Sequence, residues 1–544
     1  MNRPHPVSQA SARVRLIPAV LALALGGWLP CRADVTLPSL ISDNMVLQQR
    51  AKVNVWGKAD PGESVTVMLG PESAQATAGS DGSWGVKLGG IKAGGPYDLT
   101  ISGKNNITIH NVAVGEVWVC AGESNMEFKV LAARHGLEEI ADASLPMVRV
   151  FVVKHNASEK PEHDCEGAWL VCNPDTVKNL SAVGYFFAKE LNQGMRVPVG
   201  LIQSTWGASP AESWTPRATL EKDAALHAVL DRYDKAAAAY PDALSAYEAR
   251  MTGWKASAEA AKASGSPAPR APLPPLAPGG AREPSSVYNG MILPLVRYPI
   301  RGVLWYQGES NTSDPRLYRT LFPAMIDAWR KDWNEGNFPF LYVQLSSFLE
   351  RHPAPTESRW AELREAQSQA LSTPKTGMAV TIDTGEERNM HPADKQDVAH
   401  RLVLVAENDV YGKSGVTASG PVFAGMAIED GKAVLSFTHE VGGLVARNGA
   451  PLKGFEIAGE DRKFVWADAE IHGDKVIVRS KDVPKPVAVR YAWADMPECD
   501  LANLARLPAA PFRTDNWVAG EVAGASSPAE SPGKARKHHA AEAE

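Results

Sequence analysis

The sequence has few cysteines, no strong excess of charge of one sign and no apolar run long enough to cross a membrane. Five cysteines in 544 residues are too few for a disulfide-built scaffold, and no Cys/His group has metal-site spacing. The net charge of −6 gives no electrostatic reason to expect nucleic acid or an anionic membrane as a partner. The remaining composition, 44% hydrophobic and 22% charged, is typical of globular proteins with several domains.

The N-terminus has the pattern of a secretory signal. Arg13 and Arg15 precede an apolar run at residues 16–25, and that run is too short to span a bilayer. We therefore predict a signal peptide over residues 1–33 and a mature chain that starts near Asp34. The protein is expected to be exported, either to the periplasm or out of the cell, and to have no membrane partner after cleavage.

Four cysteines remain in the predicted mature chain. Cys165 and Cys172 are close enough in sequence to close a short disulfide loop in an exported protein, although their spacing is equally consistent with two free thiols. Cys120 lies within an apolar stretch and is predicted to be a buried thiol.

The hydrophobic pattern divides the chain into three folded regions. Residues 34–111 contain short strands separated by Gly, Pro and Asp turns, which predicts a small β-sandwich-like domain. Residues 112–412 alternate apolar strands with amphipathic helices, which predicts an α/β domain with a parallel sheet between two helical layers. It is interrupted by a helical and Pro-rich insertion at residues 221–282. A second β-sandwich-like domain is expected over residues 413–518, followed by a disordered tail at 519–544.

Within the α/β region, individual strands and helices can be placed from their periodicity. Strands are predicted at residues 114–121, 199–203, 302–306, 340–345 and 378–382. Helices are predicted at residues 182–193, 317–333, 359–371 and 395–407. The insertion is expected to contain one or two exposed helices between residues 221 and 263.

Polar or ionisable residues follow four of the predicted strands, and parallel strands all end at the same edge of a sheet. Ser124 comes first, at a strand-to-helix corner where a serine hydroxyl is exposed, although a serine at such a corner is also a common helix cap. The later segments contain Gly207, Gln307 and His391. Acyl transfer from a serine requires a nucleophile, a base, an oxyanion hole and a group that orients the base. The four segments contain candidates for all of these.

The motifs in these segments, taken in order, resemble those of one family. They are Gly122-Glu123-Ser124-Asn125-Met126, Trp206-Gly207, Trp305-Tyr306-Gln307-Gly308-Glu309-Ser310-Asn311 and His391-Pro392. This order is similar to that of the sialate O-acetylesterase family, which are secreted carbohydrate acetylesterases of the SGNH-hydrolase superfamily. The resemblance extends from about residue 35 to residue 517 and is weakest in the insertion.

The resemblance implies a role for each matching residue. Ser124 is expected to be the nucleophile, and His391 the general base that later protonates the departing sugar hydroxyl. The oxyanion hole is expected to consist of the backbone N–H groups of Ser124 and Gly207 together with a side-chain amide. Gln307 is the first candidate for that amide and Asn311 the second.

Two positions depart from the family pattern. Glu123 replaces a glutamine, and we expect its carboxylate to point away from the oxyanion or to meet a cation. Arg388 occupies the position where the superfamily often has the aspartate that orients the base. Glu309 is the first candidate for this role, because the resemblance implies that related acetylesterases use the glutamate of a Gln-Gly-Glu segment. As the second residue after Gln307 at a strand end, it should also face the same pocket. Asp383 is the second candidate, and a helix- or turn-capping role for it is equally consistent.

The resemblance implies a secreted serine esterase that removes O-acetyl groups from carbohydrate, most directly from sialic acid, without a metal or cofactor. An acetylxylan or other plant-polysaccharide acetylesterase is the alternative within the same chemistry. A non-catalytic carbohydrate-binding protein, using its β domains and some of its 15 tryptophans, is the alternative of another class. A structural cell-surface module without a ligand would leave the polar strand ends unexplained.

Overall fold

The computed structural model describes residues 34–275, 277–449 and 451–517. The predicted signal peptide and the predicted disordered tail therefore lie outside the described residues. Within those ranges, no helix is both long enough and apolar enough to cross a membrane.

The elements follow the predicted β, α/β, β order along the chain. The first region contains β1 (Val46–Gln48), β2 (Val53–Lys58), β3 (Ser64–Leu69), β4 (Glu72–Thr77), β5 (Ser83–Leu88), β6 (Gly94–Ser102) and β7 (Asn106–Gly122). The α/β region contains α1 (Ser124–Glu127), α2 (Gly136–Ala141), β8 (Leu145–Val153), β9 (Gly167–Cys172), α3 (Pro174–Val177), α4 (Ala182–Met195), β10 (Val199–Thr205), α5 (Arg217–Leu220), α6 (Ala224–Ala263), β11 (Gly302–Tyr306), α7 (Pro315–Trp333), β12 (Phe340–Val343), α8 (Arg359–Gln369), β13 (Thr376–Ala379) and α9 (Lys395–Val405). The last region contains β14 (Val422–Glu429), β15 (Lys432–Thr438), β16 (Leu444–Ala446), β17 (Phe455–Ala458), β18 (Phe464–Trp466), β19 (Asp468–His472), β20 (Lys475–Arg479), β21 (Ala488–Tyr491), β22 (Leu501–Asn503) and β23 (Phe512–Arg513).

The central sheet has the strand order β13-β12-β11-β7-β10-β8-β9. Neighbouring strands pair in parallel as far as β8, and β9 adds an antiparallel edge, so the sheet is mixed. Every residue of β10, β11 and β12 is buried, which explains why these strands are continuous apolar runs rather than alternating ones. The five strands predicted for this sheet are confirmed, with ends that shift by a few residues.

Strand β7 belongs to both the N-terminal β region and the central sheet. Its first half pairs antiparallel with β6, and its second half pairs in parallel with β10 and β11. The boundary placed between residues 111 and 112 thus falls inside one continuous strand. The N-terminal β region is thereby attached directly to the strand that leads to Ser124.

Helices pack on both faces of the central sheet, as predicted for a three-layer arrangement. On one face, Trp118 of β7 contacts Phe187 of α4 with ring centroids 5.3 Å apart. On the other face, Trp305 of β11 contacts Trp329 of α7 at 5.8 Å. Side-chain caps mark the helix starts, since Ser181, Asp314 and Asp394 each accept a backbone N–H from the first turn of α4, α7 and α9.

The insertion consists mainly of one long exposed helix. Helix α6 has 40 residues and starts at a cap from Asp223, and its buried side chains are those of Leu226, Val229 and Leu230 near its start. This confirms the prediction of exposed helical structure between residues 221 and 263.

The C-terminal region contains two four-stranded antiparallel sheets, β14-β15-β20-β19 and β18-β17-β21-β23. The two sheets contact each other through Phe423 of β14 and Phe512 of β23, whose stacked rings are 4.4 Å apart. This contact places the region's aromatic core between the sheets.

Cys165 and Cys172 are free thiols, and both are buried. The disulfide alternative is therefore not realised in this structure. Cys120 is a buried thiol as predicted, and burial raises its pKa to about 12.

Candidate active site

Ser124 lies at the corner between β7 and α1. Gly122 ends the strand with φ +140°, and a Cβ there would approach the Tyr306 carbonyl oxygen to 2.2 Å, so the corner requires glycine. Glu123 is the N-cap residue of α1, and Ser124 is the first helical residue. The Ser124 hydroxyl therefore does not cap the helix and is available for other contacts.

His391 lies beside this hydroxyl. Its Nε2 is 2.8 Å from Ser124 Oγ, although the two residues are 267 positions apart in sequence. Burial and the positive charge of Lys395 both lower the pKa of His391, so the neutral ring is favoured. A neutral imidazole whose Nε2 accepts the serine proton carries its own proton on Nδ1. The structure thus brings the predicted nucleophile and base together with the geometry that proton transfer needs.

Neither predicted orienting carboxylate contacts His391. Glu309 Oε1 accepts a hydrogen bond from Asn125 Nδ2 at 2.6 Å, and Glu309 Oε2 is buried without a hydrogen-bond partner. Asp383 accepts hydrogen bonds from Arg401 at 2.5 and 2.8 Å and also pairs with Arg447. Each carboxylate faces other donors in this structure, and the orienting role remains a prediction for both residues.

Asn125 connects Glu309 to the segment that carries His391. Its Nδ2 also donates to the Met390 carbonyl oxygen at 3.0 Å, and its Oδ1 accepts from Lys395 Nζ at 2.5 Å. Asn125 and Lys395 are both buried. Burial lowers the pKa of Lys395 to about 7, while burial and the neighbouring Glu123 carboxylate raise the pKa of Glu309 to about 8.

The unusual Glu123 carboxylate is turned toward the segment after β11. It accepts the backbone N–H groups of Gly308 and Ser310, both at 3.1 Å, and the Ser310 hydroxyl at 2.6 Å. These hydrogen-bond donors compensate its burial, so no cationic partner is needed. The prediction that Glu123 points away from the oxyanion is consistent with these contacts.

Gly207 lies close to the nucleophile, since a Cβ on it would be 3.5 Å from Ser124 Cβ. Its N–H donates to Glu127 Oε2 at 2.6 Å, and Glu127 Oε1 lies 3.0 Å from His155 Nε2. The His155 ring in turn stacks on Trp206 with centroids 4.4 Å apart. One of the two predicted backbone donors is therefore placed beside Ser124 but bonded to a carboxylate. The other, the Ser124 N–H, makes no hydrogen bond to the described residues.

The two candidate side-chain amides of the oxyanion hole, those of Gln307 and Asn311, donate hydrogen bonds to residues other than Ser124. Gln307 is fully buried, and its Nε2 donates to Asn311 Oδ1 at 2.7 Å. Asn311 Nδ2 donates to Glu212 Oε2 at 2.8 Å. The extended backbone that was expected to continue from Gln307 to Glu309 is interrupted, because Gly308 has φ +154° and a 3₁₀ turn spans Glu309–Asn311. Gln307 and Glu309 consequently face different neighbours, and the side-chain amide of the oxyanion hole stays a prediction.

Comparisons with known proteins show which family the chain belongs to. A family model described as "Carbohydrate esterase, sialic acid-specific acetylesterase" matches residues 281–402. The sialate O-acetylesterase of Rattus norvegicus is 31% identical over an alignment of 522 residues, with 87% of this chain and 93% of the relative covered. That of Homo sapiens is 30% identical, with 87% and 91% covered. The chain belongs to the sialate O-acetylesterase family. It is therefore a carboxylic ester hydrolase.

A solved structure supports the same assignment for the whole fold of this sialate O-acetylesterase family member. A carbohydrate acetylesterase from Xanthomonas citri is 37% identical and aligns with a TM-score of 0.76, covering 89% of this chain and 100% of that one.

The sialate O-acetylesterase family model spans the segments that hold Glu309, His391 and Lys395, whereas Ser124 lies outside it. Sequence reasoning missed Asn125, Lys395 and Glu127. Their positions carried a usable pattern, because Asn125 is one residue and Glu127 three residues after Ser124, and Lys395 is four residues after His391. Among the residues in the described ranges, no group of three or more His, Cys, Asp or Glu side chains is arranged to hold a metal ion.

Proposed function

We propose that this protein removes O-acetyl groups from carbohydrate through an acetyl-Ser124 intermediate, with O-acetylated sialic acid as the first substrate to test. The observation that carries the proposal is the 2.8 Å contact between His391 Nε2 and Ser124 Oγ at the carboxyl edge of the sheet. We also propose that the fold is of the SGNH-hydrolase type, which the position of Ser124 and His391 at one sheet edge supports.

The reaction proceeds in two acyl-transfer steps. Ser124 Oγ attacks the acetyl carbonyl carbon while His391 Nε2 accepts the hydroxyl proton, and the carbonyl oxygen becomes an oxyanion near the N–H groups of Ser124 and Gly207. The ester C–O bond then breaks, and His391 returns the proton to the departing sugar oxygen. Water next attacks the carbonyl carbon of acetyl-Ser124 while His391 accepts a proton from it. The bond between that carbon and Ser124 Oγ then breaks, His391 returns the proton to Oγ, and the acetic acid released ionises to acetate in water.

The Gly207 N–H becomes available to the oxyanion when its hydrogen bond to the Glu127 carboxylate breaks. The Glu127 side chain is about one-third exposed, and its second oxygen already faces His155. A small rotation of this carboxylate toward His155 and solvent frees the donor without moving the backbone.

The sialic acid assignment rests on family membership, and acetylated xylan is the alternative that the same catalytic groups serve. Acetate release from 9-O-acetylated sialic acid and from acetylated xylan, measured in parallel, separates the two. We expect higher kcat/KM on the sialic acid ester. Higher kcat/KM on xylan moves the substrate class to plant polysaccharide, and sugar binding without acetate release from either supports the non-catalytic binding protein.

We also propose that the protein is exported, on the basis of the basic and apolar pattern in residues 1–33. Mass determination of the protein recovered from periplasm and medium tests this. The expected N-terminus lies near Asp34, and an intact N-terminus with cytoplasmic recovery contradicts export.

A further inference from the structure

The peptide bond that precedes His391 is held from both sides. Its carbonyl oxygen, on Met390, accepts Asn125 Nδ2 at 3.0 Å, and its N–H, on His391, donates to Asn389 Oδ1 at 3.0 Å. The ring itself is held at Nε2 by Ser124. Because neither carboxylate that could orient the ring bonds to it, this fixed peptide is what sets the direction from which the imidazole reaches Ser124.

Asn125 is well suited to fix that peptide, because every hydrogen bond its amide needs is made. Both donors of Nδ2 are used, toward Met390 and Glu309, and Oδ1 accepts from Lys395. The amide cannot be turned over without setting N–H against the ammonium group and carbonyl oxygen against two oxygens. Lys395 and Glu309 therefore lock the orientation of Asn125, and Asn125 is directly adjacent to the nucleophile in sequence.

The burial of the Lys395 ammonium group has a high cost in free energy. Its side chain is fully buried, and its ammonium lies 4.8 Å from the Phe128 ring centroid and 5.4 Å from that of Tyr306. A buried cation costs several kcal/mol unless specific contacts offset it, so packing alone does not account for a lysine at this position. An apolar side chain of the same length would fill the space between the two rings.

The charged groups around His391 come from four segments. Lys395 lies on α9, Glu309 in the 3₁₀ turn after β11, and Glu123 at the β7–α1 corner, where it contacts the Glu309 segment. Asp394 and Glu386, in the segment after β13 that carries His391, add negative charge that acts on Lys395. Of these groups, Lys395 is the one whose charge acts on the His391 ring, and a cation disfavours the imidazolium form.

We propose that Asn125 and Lys395 are positioning residues for His391. Together they take the place of the orienting aspartate, whose usual position is occupied here by Arg388. Asn125 holds the Met390–His391 peptide, and Lys395 both fixes the Asn125 amide and keeps the imidazole in its basic form. This inference rests on the proposed serine esterase function, because it assigns His391 the role of base.

The first test uses Lys395→Met, which keeps the apolar stem and removes the charge, with 4-nitrophenyl acetate as the ester. Loss of the cation raises the pKa of His391, so the acid limb of the kcat/KM profile is expected to move to higher pH by about 0.5 to 1 unit. Lys189→Met, which breaks the ion pair of Lys189 on α4 with Glu139 on α2, is the matched control and should leave the limb in place. An unshifted limb in Lys395→Met, with a folded protein by thermal melting, overturns the role of Lys395.

The second test uses Asn125→Ala, which removes the contact to Met390 and leaves Lys395 present. We expect kcat for 4-nitrophenyl acetate to fall about 10- to 100-fold with little change in KM, because the base is misaligned while the acyl site is intact. An unchanged kcat overturns the positioning role of Asn125. If Lys395→Met does not fold, Lys395→Gln takes its place, and an unmoved acid limb in that variant contradicts the role of Lys395. If Asn125→Ala does not fold, Asn125→Asp takes its place, because it removes the donor to Met390, and an unchanged kcat in that variant contradicts the role of Asn125.

These tests are separate from the question of the natural substrate. Hydrolysis of 4-nitrophenyl acetate without acetate release from any sugar refutes the carbohydrate esterase proposal but still measures the His391 effects. Sugar deacetylation with normal kinetics in both variants refutes only the positioning role.

Discussion

Glu127 accepts the backbone N–H of Gly207, the donor that the proposed oxyanion requires. A carboxylate in this position competes with the substrate oxygen and places negative charge where negative charge develops. We therefore predict that Glu127→Ala raises kcat/KM for 4-nitrophenyl acetate by about 2- to 10-fold, which corresponds to the net free energy of one hydrogen bond.

Glu138→Ala is the control for this prediction, because Glu138 also faces a histidine but lies on the exposed surface of α2. It should leave kcat/KM unchanged. A fall of 10-fold or more in Glu127→Ala alone would show that Glu127 supports the Gly207 turn rather than competing with the substrate.

The residues of the site were predictable to different degrees. Ser124, Gly207 and His391 could be found because each follows a buried strand at one sheet edge, and register alone brings such ends together. The roles of Gln307 and Glu309 could not, because they depend on one backbone angle at Gly308 that redirects both side chains. A glycine permits that angle, but its presence in the sequence does not show that the angle is adopted.

At the scale of elements, Asp383 joins the loop after β13 to α9 and to the C-terminal β region. Burial alone would raise its pKa, but hydrogen bonds and charges from Arg401 and Arg447 outweigh burial and lower it. Asp383→Asn is expected to reduce the free energy of unfolding at pH 7 by about 3 kcal/mol. It removes the carboxylate that pairs with the partly buried Arg447 and leaves the buried Arg401 guanidinium with the exposed Asp397 carboxylate, 3.9 Å away.

The pH dependence of this ion pair has a defined sign. A carboxylate with a lowered pKa stabilises the fold above its ordinary pKa, and the contribution is lost as the pH falls through the folded value. Urea unfolding at pH 7 and pH 3 should therefore show a smaller difference between wild type and Asp383→Asn at pH 3. We expect kcat for Asp383→Asn to stay within about 3-fold of wild type, whereas a loss of kcat larger than that of Glu309→Gln would return the orienting role to Asp383.

Elements were predictable where local and tertiary preferences agree. The strands of the central sheet are uniformly apolar because both faces are covered, and α4, α7 and α9 begin at capping residues visible in the sequence. The junction at residue 111 was placed by a change of pattern, yet β7 continues through it. A strand that passes from a two-layer to a three-layer region changes its burial pattern without ending.

At the scale of the whole molecule, Glu456 is the buried acid whose titration should be visible in stability. It lies in β17 with neither carboxyl oxygen hydrogen-bonded, and burial raises its pKa to about 8 despite the nearby Arg490. An unfolded glutamate loses its proton near 4.5, so unfolding between these two pH values releases a proton. The free energy of unfolding therefore falls as the pH rises from 4.5 to 8.

Glu456→Gln removes this titration, and we expect the variant to be more stable than wild type at pH 8 by about 1–3 kcal/mol, with a smaller gain at pH 5. Thermal melting across that pH range measures the difference. Glu460→Gln, at an exposed turn two residues after β17, is the control and should have no effect. Destabilisation of Glu456→Gln at every pH would instead mean that Glu456 is ionised and paired with Arg490.

The proposed mechanism depends most on the assignment of Ser124 as the nucleophile. The direct measurement is acetate release from 9-O-acetylated sialic acid by wild type, Ser124→Ala and Ser204→Ala, combined with mass spectrometry of the acid-quenched wild type. Ser204 is the control because its buried hydroxyl bonds to the Met291 carbonyl in the neighbouring segment. We predict a loss of at least about 10³-fold in Ser124→Ala, near-normal turnover in Ser204→Ala and one acetyl group on the Ser124 peptide. Turnover by Ser124→Ala equal to that of wild type would contradict the account.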